Sequence, residues 1–110
     1  MKVEELVDRF DLEVIVDANL QKEINGGYCG DLLSNVMARA KAGNVWLTIQ
    51  GHQNVVAVAL LSEVSAVIVV ENFSIEDEAV KRAQEKGVNI LKTNMTAFEM
   101  AGKLFENGIN

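Results

Sequence analysis

Three short polar stretches carry most of the groups in this chain that could hold a small molecule. They are Gln50-Gly51-His52-Gln53-Asn54, Glu71-Asn72-Phe73-Ser74 and Thr93-Asn94-Met95-Thr96. Each follows an apolar run that reads as a strand, and each leads into a segment with helical spacing. Joints of this kind lie at the carboxyl edge of an open α/β sheet, where ligands bind. The free N–H groups of the helices they feed favour anions. Thr48, Gly51, His52, Gln53, Asn54, Glu71, Asn72, Thr93, Asn94 and Thr96 are therefore the candidate contacts for a nucleotide or another small anion. Helix caps need the same residue types, so capping is the competing role for each of them.

The other reactive groups are sparse. His52 is the only histidine. It could titrate near neutral pH, but its own turn offers no carboxylate partner, and a polar loop or interface role outweighs acid–base work. Cys29 is the only cysteine and sits in Gly-Tyr-Cys-Gly without a basic neighbour. It reads as an inert small residue rather than an activated thiolate. The stretch Asn25–Asp31 has the glycines of a phosphate loop but neither the G-x-x-x-x-G-K-[ST] nor the G-x-G-x-x-G pattern. It reads as a crossing loop or a short extended piece. No paired carboxylates, Ser-His-Asp set or metal-ligand spacing stand out. We therefore assign no catalytic residue, no metal and no cofactor, and an enzyme is the less favoured reading.

Composition narrows the partners. The net charge is −6, from 16 acidic and 10 basic residues. A protein that lives on phosphate backbones needs a basic footprint, so nucleic acid is not an expected partner. A lone cysteine excludes a disulfide framework, a zinc set and an iron–sulfur ligand set. No apolar run approaches the roughly 18–20 residues that span a bilayer, so no membrane association is expected. The opening MKVEELVDRF is acidic and amphipathic rather than a signal peptide, and the expectation is a cytoplasmic protein.

The elements that must position these turns follow from periodicity. The 110 residues suit one domain over 1–110, and 49 % apolar with only 5 % aromatic residues implies a core of Val, Leu, Ile and Ala. Val3–Phe10 has helical spacing. Leu12–Val16 reads as a strand. Asp31 is a suitable N-cap for a helix from Leu32 to about Lys41, with Leu32, Leu33, Val36, Met37 and Ala40 as its apolar stripe. Val45–Ile49 reads as the central strand, with Trp46 and Thr48 on one face and Val45, Leu47 and Ile49 on the other. Trp46 is either core or interface. A helix over about Gln53–Glu63 follows. Ala66–Val70 reads as a strand buried on both faces. Ser74 is a candidate cap for a helix running to Lys86 and ended by Gly87. Val88–Leu91 is the last strand. Thr96 and Glu99 match a capping box for a final helix that buries Phe98, Ala101, Leu104 and Phe105. The expected fold is α/β, a three-layer sandwich with a mainly parallel central sheet flanked by helices.

In this order the motifs resemble the DRTGG domain family over nearly the full length. The quoted features are the first helix and strand, the entry from Gly26-Gly27 to Asp31, and the strand ending in Thr48-Ile49-Gln50-Gly51-His52-Gln53-Asn54, where the family has a Gly-Asp-Arg-like turn. The alanine-rich helix Val56–Leu60 and the ending Thr93–Phe98 also fit. Val70-Glu71-Asn72-Phe73 stands where the family has Leu-Thr-Gly-Gly, so both halves of that signature are altered here. The chain is most similar to small stand-alone members encoded beside iron-only hydrogenase and electron-transfer genes. Those are labelled serine-kinase-like after the non-catalytic N-terminal part of HPr kinase. Related domains occur in CBS-domain pyrophosphatases and some phosphotransacetylases. The resemblance implies a non-catalytic regulatory domain that forms a homodimer and senses a small anion such as a nucleotide. A ligand-free accessory subunit of a hydrogenase-type redox complex is the alternative. A weak phosphotransferase using His52 and the glycine loop comes third.

Overall fold

The computed structural model covers residues 1–110. The elements run α1 (Val3–Phe10), β1 (Glu13–Val16), β2 (Gly26–Cys29), α2 (Leu33–Arg39), β3 (Asn44–Thr48), α3 (Asn54–Ser62), β4 (Ala66–Val69), α4 (Asp77–Lys86), β5 (Ile90–Lys92) and α5 (Ala97–Glu106). The five strands form one sheet in the order β1-β5-β4-β3-β2. Strands β2 to β5 are parallel to their neighbours, and β1 joins β5 antiparallel. This is the expected three-layer α/β sandwich, with one antiparallel edge that periodicity alone does not reveal. No helix is long and apolar enough to cross a membrane.

Alternation along the strands divides the core in two, as the period of 2 requires. Trp46, Val67, Val69 and Ile90 point to the face covered by α2, α3 and α4, where Val36, Val56, Ala79 and Ala83 meet them. Val45, Leu47, Ile68 and Leu91 point to the opposite face, against Val3 and Leu6 of α1 and Met100 and Leu104 of α5. All five residues of β3 and all four of β4 are buried. A central parallel strand has no solvent face, which is why these sequences run almost continuously apolar. Trp46 belongs to this core, not to an interface.

The glycine stretch takes the extended alternative: Gly26–Cys29 is the edge strand β2. Several other local expectations need correction. Asp31 does not cap α2, whose N-cap is Leu32; its carboxylate is taken by β3, as described below. Ser74 does not cap α4, which starts after Glu76 and ends at Gly87. In α2 only Val36 is buried, and Leu32 and Met37 face solvent. On α5, Phe98 and Phe105 were expected inside, yet they are 89 % and 68 % exposed. The core needs only one arc of that helix, and Met100 and Leu104 fill it. The Thr96–Glu99 capping box is present, with Thr96 Oγ1 accepting from the Glu99 N–H at 3.1 Å.

Candidate functional site

The carboxyl edge of the sheet is stitched together by its own turns. The Asp31 carboxylate, just beyond β2, accepts from the Thr48 hydroxyl at 2.8 Å and from the Ile49 N–H at 2.9 Å. The Asp31 carbonyl accepts from Gln50 Nε2. Thr48 is 1 % exposed, so this candidate contact is a brace between β2 and β3 rather than a ligand donor. The next turn is joined to the loop before α4 by the Glu76 N–H, which donates to the Gly51 carbonyl at 2.9 Å. That loop is joined to the turn after β5: Glu71 N–H donates to the Met95 carbonyl and Asn72 N–H to the Thr93 carbonyl.

Around Gly51 this edge is nearly solid. A Cβ built there would overlap the Ser74 carbonyl oxygen and lie 2.8 Å from Ile75 Cα. Glycine is required by close backbone approach. Gly51→Ala is expected to lower stability by about 1–3 kcal/mol, the usual range for an inserted methyl that displaces its surroundings. Urea denaturation measures it, and a loss near zero would mean that the two loops part freely. The space beneath this turn, walled by Gln50, His52, Val56 and Ile75, is only about 10 Å³, too small for a ligand. His52 is occupied within the protein: Nδ1 accepts from the Asn54 N–H at 3.1 Å, and Nε2 lies 3.9 Å from a Glu76 carboxylate oxygen. Glu76 comes from the following loop, so the histidine's own turn gives no sign of this partner. Gln53 is the N-cap residue of α3 without a side-chain cap bond, and Asn54 opens that helix.

The open part of the edge lies further along, over β5. A cleft of about 550 Å³ is lined there by Arg9 and Asp11 at the end of α1, Glu13 of β1, Asn72, Lys92 to Met95, and Lys103 of α5. This volume lies within the range of small-molecule sites. Of the ten expected contacts the cleft gathers three: Asn72, Thr93 and Asn94. Glu71 adjoins Asn72, and both hold left-handed backbone, with φ of 58° and 56°. Thr93 Oγ1 accepts from the Met95 N–H. Thr96 is committed to its cap.

Three cationic side chains of this cleft were missed from the sequence. Arg9, Lys92 and Lys103 converge here although the chain carries a net charge of −6. No carboxylate lies within 4.0 Å of any of them, because the only ion pairs join the N-terminus to Glu23 and His52 to Glu76. Asp11 and Glu13 line the same cleft, more than 4.0 Å from these three cations. Arg9 is held in place: its Nη1 donates to Asn107 Oδ1 at 2.8 Å, and Asn107 Nδ2 donates to the Lys103 carbonyl. A braced guanidinium beside two ammonium groups can grip a phosphate or carboxylate by charge-assisted hydrogen bonds. Lys92 ends β5, one residue beyond the strand expected over Val88–Leu91. Arg9 and Lys103 are brought in by helices from opposite ends of the chain.

No group of His, Cys, Asp and Glu has the geometry to hold a metal ion. Cys29 is the one group whose acidity is clearly shifted. Partial burial pushes its thiol up, and the nearby Asp31 carboxylate adds to the effect. The folded state therefore holds this proton to higher pH than the unfolded chain does. The linked stability is full below the unfolded thiol's pKa of about 8.5 and falls as pH rises beyond it. Alkylation by iodoacetamide should accelerate at a higher pH than for free cysteine. A midpoint at or below the free value would refute the inert reading.

The sequence profile of the DRTGG domain family matches residues 5–106. No curated protein matches the chain. Among solved structures, it is similar to the CBS and DRTGG domains of the regulatory region of Clostridium perfringens pyrophosphatase, crystallised with the activator diadenosine tetraphosphate. The TM-score is 0.69 at 13 % identity, over 92 % of this chain and 44 % of that one. This chain thus spans less than half of the pyrophosphatase regulatory region.

Proposed function

The chain belongs to the DRTGG domain family, and on that premise we propose that it is a non-catalytic regulatory domain. It works as a homodimer and senses a small phosphorylated anion, a nucleotide in the first instance, in the cleft formed by Arg9, Lys92 and Lys103. The observation that carries this reading is the convergence of three cations without carboxylate partners on a cleft at the sheet's carboxyl edge. Thr93 and Asn94 add hydrogen-bonding groups, and Phe10 and Met95 add an apolar wall suited to a base. The nucleotide activator of the pyrophosphatase regulatory region is consistent with this ligand class.

A thermal-shift screen against phosphate, pyrophosphate, mononucleotides and diadenosine tetraphosphate tests the reading. A ligand at about 100 times its dissociation constant should stabilise the fold by roughly 2.7 kcal/mol, on the order of 10 °C for a domain of this size. The Lys92→Glu/Lys103→Glu variant should keep its fold and lose the shift. A flat screen would contradict the sensor and favour the ligand-free accessory subunit of a redox complex. An equal shift in the variant would move the ligand elsewhere.

A further inference from the structure

Helix α5 carries a second feature on the side away from the core. Phe98 and Phe105 are 89 % and 68 % exposed. They lie seven residues apart, so they stand on one face of the helix, roughly 10 Å apart along it. Between them on that face lie Ala101 and Gly102. Gly102 has no intramolecular justification: a Cβ added there would meet nothing within 4 Å. A glycine inside a helix weakens it relative to alanine, so this position invites an explanation from outside the chain. Beside Phe105 runs an apolar groove of about 220 Å³, walled by Tyr28, Cys29, Leu47, Ala101 and Ile109. It separates α5 from β2, which is an edge strand with no neighbour on its outer side.

The order Phe98-x-x-Ala101-Gly102-x-x-Phe105 reads the same in both directions by size: large, small, small, large. We propose that this face is the interface between two copies of the chain, which pack α5 against α5 antiparallel about a twofold axis at Ala101–Gly102. This rests on the homodimer reading above and names its surface. A twofold interface requires a self-complementary patch, and this stripe is one. Each Phe98 meets Phe105 of the partner subunit and enters the groove beside it, so the contact occurs twice. The small residues at the centre let the helix axes approach to the close end of their range, about 8 Å. The groove is lined mostly by apolar side chains, a suitable wall for the entering ring.

Sedimentation equilibrium on the full chain tests the proposal. The wild type should show twice the 12.0 kDa of one chain. Phe98→Glu/Phe105→Glu should weaken association at least ~100-fold, since it removes paired aromatic anchors. Circular dichroism should be unchanged, because both rings are outside the core. Gly102→Leu should also yield monomer with a native fold. A wild type that stays monomeric at millimolar concentration would overturn both this interface and the homodimer. Dimers that persist in both variants would overturn the interface and leave the homodimer standing.

Discussion

Trp46→Ala is expected to destabilise the domain by about 3–5 kcal/mol, the range for truncating a large buried aromatic. The indole is fully buried in β3, paired through its backbone with Tyr28 on one side and Val67 on the other. It fills the space between the sheet and α2, α3 and α4. Its Nε1–H donates to the Gly30 carbonyl at 2.8 Å, tying the central strand to the exit from the edge strand. Alanine would leave a cavity and an unpaired carbonyl together. Such a loss is a large fraction of the roughly 5–15 kcal/mol that holds a domain folded. Chemical denaturation followed by circular dichroism measures it, since the only tryptophan is removed. Trp46→Phe should fall well short of that loss, near the ~1–3 kcal/mol of a lost hydrogen bond with its acceptor left unpaired. An alanine variant losing less than ~1 kcal/mol would contradict a tightly packed central strand.

Asn89→Leu should cost about 2–4 kcal/mol for a different reason, the stranding of polar groups. Asn89 is 1 % exposed and stands just before β5. Its Oδ1 accepts from the Ala18 and Asn19 N–H groups at 2.9 and 2.8 Å. Its Nδ2 donates to the Asn19 and Ser65 carbonyls at 2.7 and 2.9 Å. One side chain thus satisfies four backbone groups and fixes where the chain leaves β1. Leucine has similar bulk but no polar atoms, so two donors and two acceptors lose their partners. The same denaturation experiment measures the effect. A change below ~1 kcal/mol would mean that water takes over these bonds.

Both predictions concern features that were only partly legible in the sequence. The β-branched run around Trp46 and the continuous Ala66–Val69 segment announce central strands, because a strand buried on both faces has no polar positions. Helix α1 is legible from its spacing, and the start of α5 from its capping box. Chemistry that depends on tertiary neighbours is not. Asp31 has the chemistry of an N-cap, but the Thr48 hydroxyl and Ile49 N–H compete for its carboxylate and win. The apolar arc of α5 is wider than the core requires, and nothing local says which part faces inward. That is why Phe98 and Phe105 were misplaced. Strand direction has no periodic signature, so the antiparallel pairing of β1 was invisible.

The same limit governs the site. Asn72, Thr93 and Asn94 can be placed at the sheet edge from sequence because strand–turn–helix joints mark that edge, and they line the cleft there. Gly51 and His52 lie at the same edge but are consumed by packing and internal contacts. The cations that give the cleft its character come from α1, β5 and α5, and only the fold brings them together. Helix α5 contributes Lys103 to the cleft and its opposite side to the proposed dimer, so one rigid element borders both.

The most direct measurement is a titration of the isotope-labelled protein with diadenosine tetraphosphate or ATP, followed by the shifts of its backbone amide resonances. The cleft account predicts saturable shifts concentrated at Arg9–Glu13, Asn72, Lys92–Thr96 and Lys103. They should be abolished by Lys92→Glu/Lys103→Glu. Shifts centred on Gly51–Asn54 instead, or none with any phosphorylated anion, would contradict it.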